Sequence, residues 1–122
     1  MHPKKFSLRS RIKSFRYAIA GIIIFVRQEH NARIHAVATV AVIIAGIVFH
    51  VSYAEAATLT VVTGVVWITE MLNTCLERMA DIVHPEIHPT IRFIKDLAAG
   101  AVLVAAITEV VVALFIFIPK LL

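Results

Sequence analysis

"IHAVATVAVIIAGIVFHVSYA", residues 34–54, contains no Lys, Arg, Asp or Glu. Its 21 residues match the roughly 20 that an α-helix needs to cross a bilayer. Residues 56–69 on its C-terminal side are also uncharged, and the helical pattern runs on through Glu77. A third apolar run, Leu97 to Ile118, is interrupted only by Glu109, and Pro119 is expected to end it. Pro85 and Pro89 punctuate the intervening loop, "HPEIHPT". With 60% hydrophobic residues and a mean hydropathy of +0.88, the chain is more apolar than a soluble core requires. The pattern predicts an all-α membrane protein of one domain, residues 1–122, with spans at about 33–53, 55–81 and 96–118. The single cysteine, Cys75, excludes an intramolecular disulfide, and no signal peptide is read.

The N-terminal segment differs. "KKFSLRSRIKSFRYAIAGIIIFVRQEHNAR", residues 4–33, sets basic residues beside Phe6, Leu8, Ile12, Phe15, Ile19 and Ile22. This mixture predicts an amphipathic surface helix over about residues 6–30. Eight of the twelve Lys and Arg lie at or before Arg33, which puts this end in the cytoplasm. Three spans then place the 50–56 turn outside, where there is no Lys or Arg. The 78–95 loop returns inside with Arg78, Arg92 and Lys95. No nucleic-acid partner is expected.

"WITEMLNTCLERMAD", residues 67–81, carries acids into the second span. At about 100° per residue, Glu70, Asn73, Glu77 and Asp81 share an arc of about 80° on one helix face. One ionised residue at mid-membrane costs ~2.5–3.5 kcal/mol, so a stripe of acceptors there calls for a reason. Glu77 and Asp81 also suit an interfacial position, paired with Arg78 or Arg92. Glu70 lies deeper, a full apolar turn from the loop charges. Glu29, Asn31, Arg33 and His35 open the first span, and Lys95 and Asp96 open the third. Three helices thus bring acids, amides and a lysine to one layer at the membrane surface. Oxygen donors with little sulfur or clustered His suit Mg²⁺ rather than zinc. Glu29 and Glu77 are a candidate ligand pair, and Lys95 a candidate phosphate contact. The six His show no zinc spacing and are read as loop or interfacial residues.

Together "EMLNTCLERMAD", "PEIHP" and "KDLAAGAVL" resemble the signature of the prokaryotic diacylglycerol kinase family, which includes undecaprenol kinases. The upstream "RYAIAGI" and "RQEHNARIH" resemble it too, so the likeness runs from about Arg11 to Phe117. The resemblance implies a homotrimer of three-span subunits with an N-terminal surface helix and composite sites. It implies transfer of the ATP γ-phosphoryl group to a membrane lipid alcohol, with Mg²⁺, at the cytoplasmic face of the inner membrane. No Walker A loop is present, as that family's pattern requires. Carried over by the resemblance, Glu70 is the catalytic base, and Glu29 and Glu77 are metal ligands. Asn73 and Asp81 are polar active-site positions. Arg11, Tyr17, Glu86, His88, Lys95 and Asp96, with Glu29 and Glu77, contact the nucleotide, Arg9 being an alternative to Arg11. Glu70 and Ala99 face the lipid acceptor. Cys75 stands where a small apolar residue is usual, and Glu109 is unusual and has no assigned role. "NARIH" is closer to the undecaprenol branch than to the diacylglycerol branch, which often has a carboxylate at the place of His35. Undecaprenol is therefore favoured over diacylglycerol. A small transporter or ion-pathway subunit is the rival reading, since intramembrane acids also mark ion paths.

Overall fold

The computed structural model describes Pro3, residues 5–84, Glu86 and residues 88–122. Among these residues the chain is all-helical: α1 (Leu8–Gln28), α2 (His30–Val48), α3 (Tyr53–Val83) and α4 (Pro89–Leu121). The last three are long and apolar enough to cross a membrane. Val37, Ile44, Ile47, Leu103, Val104 and Phe115 are all exposed on their flanks. Apolar surface this continuous is unsuited to water and suits a lipid solvent, so the protein is a membrane protein.

A single residue separates α1 from α2. Glu29 adopts extended backbone angles, φ −101° and ψ 123°, which ends one helix and starts the next. Arg33 secures the corner by donating to the carbonyls of Val26 (3.4 Å) and Arg27 (2.5 Å), two of the acceptors left over at the end of α1. At the other end of α2, Val51 N–H bonds the Gly46 carbonyl at 3.1 Å, while His50 takes φ 52°. This is a Schellman ending with His in the left-handed position that glycine usually fills. Ser52 then caps α3 reciprocally with Glu55: Glu55 N–H donates to Ser52 Oγ (3.1 Å) and Ser52 N–H to Glu55 Oε1 (2.9 Å).

α3 and α4 pack along most of their length, while α2 meets α1 and α3 more sparsely. Leu59, Val66, Asn73 and Ala80 of α3 are buried at seven-residue spacing. On α4 Ala98 and Ala105 repeat that spacing, with Ile116 further out. The alanines let the two backbones approach closely, as in other membrane helix pairs. At the ends the pair is tied by Lys120–Glu55 (3.1 Å) on one side and Lys95–Asp81 (2.5 Å) on the other.

Two details differ from the sequence reading. Pro119 lies inside α4, which continues to Leu121. A proline in the final turn removes one hydrogen bond and leaves few following residues to redirect. Pro89 does not interrupt a loop either. It occupies the first turn of α4, where its missing N–H has no helical partner to lose, and His88 caps it by accepting from Thr90 N–H at 3.1 Å. Pro85 falls outside the described residues.

Candidate active site

The α3 seam explains where the acids go. Four residues on from Leu59, Val66 and Asn73 come Thr63, Glu70 and Glu77, which form the polar register of the same packed face. Exposure rises along it toward the loop: Glu70 is 3% exposed and Asn73 7%, Glu77 is half-buried, and Asp81 is exposed. From Glu70 to Asp81 the helix rises about 16 Å. The predicted stripe is therefore a graded column of acceptors, running from the packed interior to the membrane surface.

Each member has a different partner. Glu70 Oε2 lies 3.3 Å from His35 Nε2 of α2. Asn73 Nδ2 donates to Glu77 Oε1 at 3.1 Å, while its buried Oδ1 has no partner among the described residues. Asp81 pairs with Lys95, and Arg92 with Asp96 at 3.3 Å. Arg78 reaches back to the α1–α2 corner, bonding Glu29 Oε1 at 2.9 Å and Gln28 Oε1 at 3.0 Å. The interfacial pairing expected of Glu77 and Asp81 with Arg78 or Arg92 is thus corrected. Lys95 is the partner of Asp81, because it stands directly opposite on the antiparallel helix, and Arg78 turns to Glu29.

The structure draws Glu70, Asn73, Glu77, Asp81, Lys95 and Glu29 to the half of the bundle that holds the α1–α2 corner and the start of α4. Glu29 and Glu77 do not share a direct bond. Among the described residues no group of three or more His, Cys, Asp or Glu side chains converges on one point. The donors at hand are still those of a hard cation. Glu77, Glu29 and the orphaned Asn73 Oδ1 are all oxygens, and a site for Mg²⁺ takes one or two carboxylates plus substrate phosphates. Asp96, Ala99, Glu86 and His88 are exposed around the start of α4. Arg11 and Tyr17 stand exposed on α1, Arg11 over the Phe6 ring at 5.8 Å. Among the described residues no hydrogen bond or ion pair joins either to the acid column within one chain.

Sequence reasoning placed His35 with the loop and interfacial histidines. It lies instead inside α2 against Glu70. The signal was available in the hairpin: His35 is 17 residues before Ser52 and Glu70 is 18 after it, so antiparallel helices bring them level. Thr39 and Trp67, one turn outward, were also missed. Trp67 Nε1–H donates to Thr39 Oγ1 (2.8 Å), Thr39 donates to the His35 carbonyl (2.7 Å), and Phe25 packs edge-on against Trp67. Beyond them, between α2 and α3, is an apolar cavity of about 490 Å³, lined by Val42, Gly46, Thr63, Trp67 and neighbours. The Thr63 hydroxyl is buried there without a partner. Glu109, unassigned from sequence, is half-buried about 21 Å along α4 from Lys95 and about 16 Å from Lys120, near the middle of the span.

Comparison with known proteins accounts for this arrangement. The family described as prokaryotic diacylglycerol kinase matches residues 16–117. An undecaprenol kinase of Bacillus subtilis (strain 168) is 38% identical over 109 residues, covering 89% of each chain. A diacylglycerol kinase of Synechocystis sp. (strain ATCC 27184 / PCC 6803 / Kazusa) is 42% identical over 110 residues, covering 89% of this chain and 63% of the relative. With acids carried along one face of α3 from the buried Glu70 to the exposed Asp81, and a family match over most of its length, the chain belongs to the prokaryotic diacylglycerol kinase family and is a lipid kinase.

Proposed function

We propose that the chain transfers the γ-phosphoryl group of ATP to undecaprenol at the cytoplasmic face of the inner membrane. The observation that carries this reading is the placement of Glu70. It is buried one turn along α3 from Trp67, which lines the α2–α3 cavity, and progressively more exposed acceptors follow it toward the end of α3. A cavity of that size and apolarity suits a hydrocarbon chain. The water-soluble donor and the membrane-bound acceptor then meet at Glu70.

In the reaction the lipid hydroxyl oxygen bonds to the γ-phosphorus as the bond to the β–γ bridging oxygen breaks and ADP leaves. Glu70 accepts the hydroxyl proton. Such a transfer needs positioning and charge compensation more than covalent chemistry. Lys95 adds positive charge beside the phosphates, and Asp81 holds its ammonium. Asn73 orients Glu77. Glu77 and Glu29, with Asn73 Oδ1, would hold Mg²⁺, which when bound supplies charge compensation to the phosphoryl oxygens. Arg11, Tyr17, Glu86, His88 and Asp96 contact the nucleotide in this reading, and Ala99 the lipid.

A homotrimer with composite sites fits the exposed α1 face. Arg11 and Tyr17 are offered outward, toward a neighbour. Diacylglycerol is the second reading of the acceptor, favoured by the 42% identity to the Synechocystis relative. A kinase assay on the purified protein with both lipid alcohols, ATP and Mg²⁺ separates the two. Faster formation of undecaprenyl phosphate is expected. Faster formation of phosphatidic acid would exchange the two acceptors, and no product from either would overturn the kinase reading.

A further inference from the structure

Glu70 has one side-chain hydrogen bond among the described residues, and it goes to His35. The pair is well enclosed: the His35 side chain is 19% exposed and that of Glu70 4%. The ring is not placed by chance. Its own backbone carbonyl accepts from Thr39, and Thr39 Oγ1 in turn accepts from the Trp67 indole, so α2 is pinned to α3 one turn away. The bond engages Oε2 only, which leaves Oε1 as the oxygen with no protein partner.

We propose that His35 is a positioning residue for the phosphoryl transfer. Nε2–H holds Oε2 of Glu70, fixes the plane of the carboxylate and aims Oε1 at the lipid hydroxyl. The proposal rests on the reading of Glu70 as the base. A buried carboxylate on a flexible two-carbon stem would otherwise sample several orientations. Misplacement of a reacting group by about 1 Å is enough to cost about 10²-fold in rate. An ionised carboxylate can only accept, so a bond to ionised Glu70 puts the hydrogen on Nε2, and in this proposal His35 contributes by geometry and not by taking the proton itself.

The test is a pair of substitutions with a kinetic split and a spectroscopic arm, on variants that elute as the parent protein does. His35→Ala removes the donor and is expected to lower kcat by about tenfold to about 10²-fold, with KM for MgATP close to the parent. His35→Gln restores an N–H donor of similar reach and is expected to recover most of the loss. Full turnover in His35→Ala, or a His35→Gln variant as slow as His35→Ala, would overturn the positioning role. Nitrogen NMR of the imidazole gives a readout independent of activity. The parent is expected to show His35 protonated at Nε2, and Glu70→Ala is expected to shift that resonance. An Nε2 signal indifferent to Glu70→Ala would overturn the pairing. If the parent protein phosphorylated neither lipid alcohol, the kinase reading would fall while the NMR arm still judged the His35–Glu70 bond.

Discussion

The two ends of α3 carry acids in opposite ways. At the Ser52 end Glu55 meets a backbone donor and a cation on the same oxygen: Oε1 accepts from Ser52 N–H in the capping box and pairs with Lys120. Toward the other end, Glu70 has a bond on Oε2 only and Asn73 keeps a buried acceptor without a partner among the described residues. The acid that stabilises the helix end meets a backbone N–H and a lysine, whereas Glu70 meets only an imidazole. An acid kept for chemistry is held on one side and left open on the other, a cost that packing elsewhere must offset. The same rule separates Arg33, which satisfies the last carbonyls of α1, from Arg78, which faces a carboxylate assigned to metal.

This contrast can be broken in order of expected effect. Glu70→Gln keeps the shape of the side chain but cannot accept a proton. Turnover should fall by roughly 10²–10⁴-fold, measured as lipid phosphate formed per unit time. Glu77→Gln and Glu29→Gln remove one charge each from the cation site. Each should raise the Mg²⁺ concentration giving half-maximal rate, by about tenfold or more. A variant whose Mg²⁺ dependence matched the parent would take that residue off the ligand set.

Arg78→Gln sharpens the comparison in the other direction. The guanidinium competes with a cation for Glu29, so its removal should lower the Mg²⁺ requirement, by a few-fold for a partly exposed pair. A higher requirement would mean that Arg78 assists the site. The outer end should respond in stability alone. His50→Gly relieves a left-handed residue and is expected to stabilise by about 0.5–1 kcal/mol, with kcat unchanged. Lys120→Met should lower Tm slightly and also leave kcat alone.

Much of this was legible in the sequence. Charge-free runs are a direct record of the bilayer, because lipid imposes them on any chain. The acid stripe from Glu70 to Asp81 followed from helical spacing alone. What sequence spacing does not contain is the partner across the helix pair. Asp81 pairs with Lys95 and Glu29 with Arg78, partners that lie on other helices. His35 was read with the loop or interfacial histidines because the six His show no metal spacing. Its actual surroundings are set by α3, through the hairpin register. Pro119 was expected to stop α4, but a proline so near the end has little helix left to break.

The central claim is that Glu70 acts in the chemical step and not in holding the fold or the nucleotide. The direct test measures MgATP affinity beside turnover in Glu70→Gln protein that elutes and melts as the parent does. The account predicts near-normal MgATP binding with kcat lowered by roughly 10²–10⁴-fold, since the nucleotide sits nearer Glu77 and Asp81. Near-full turnover would reduce Glu70 to a buried structural acid and contradict the account.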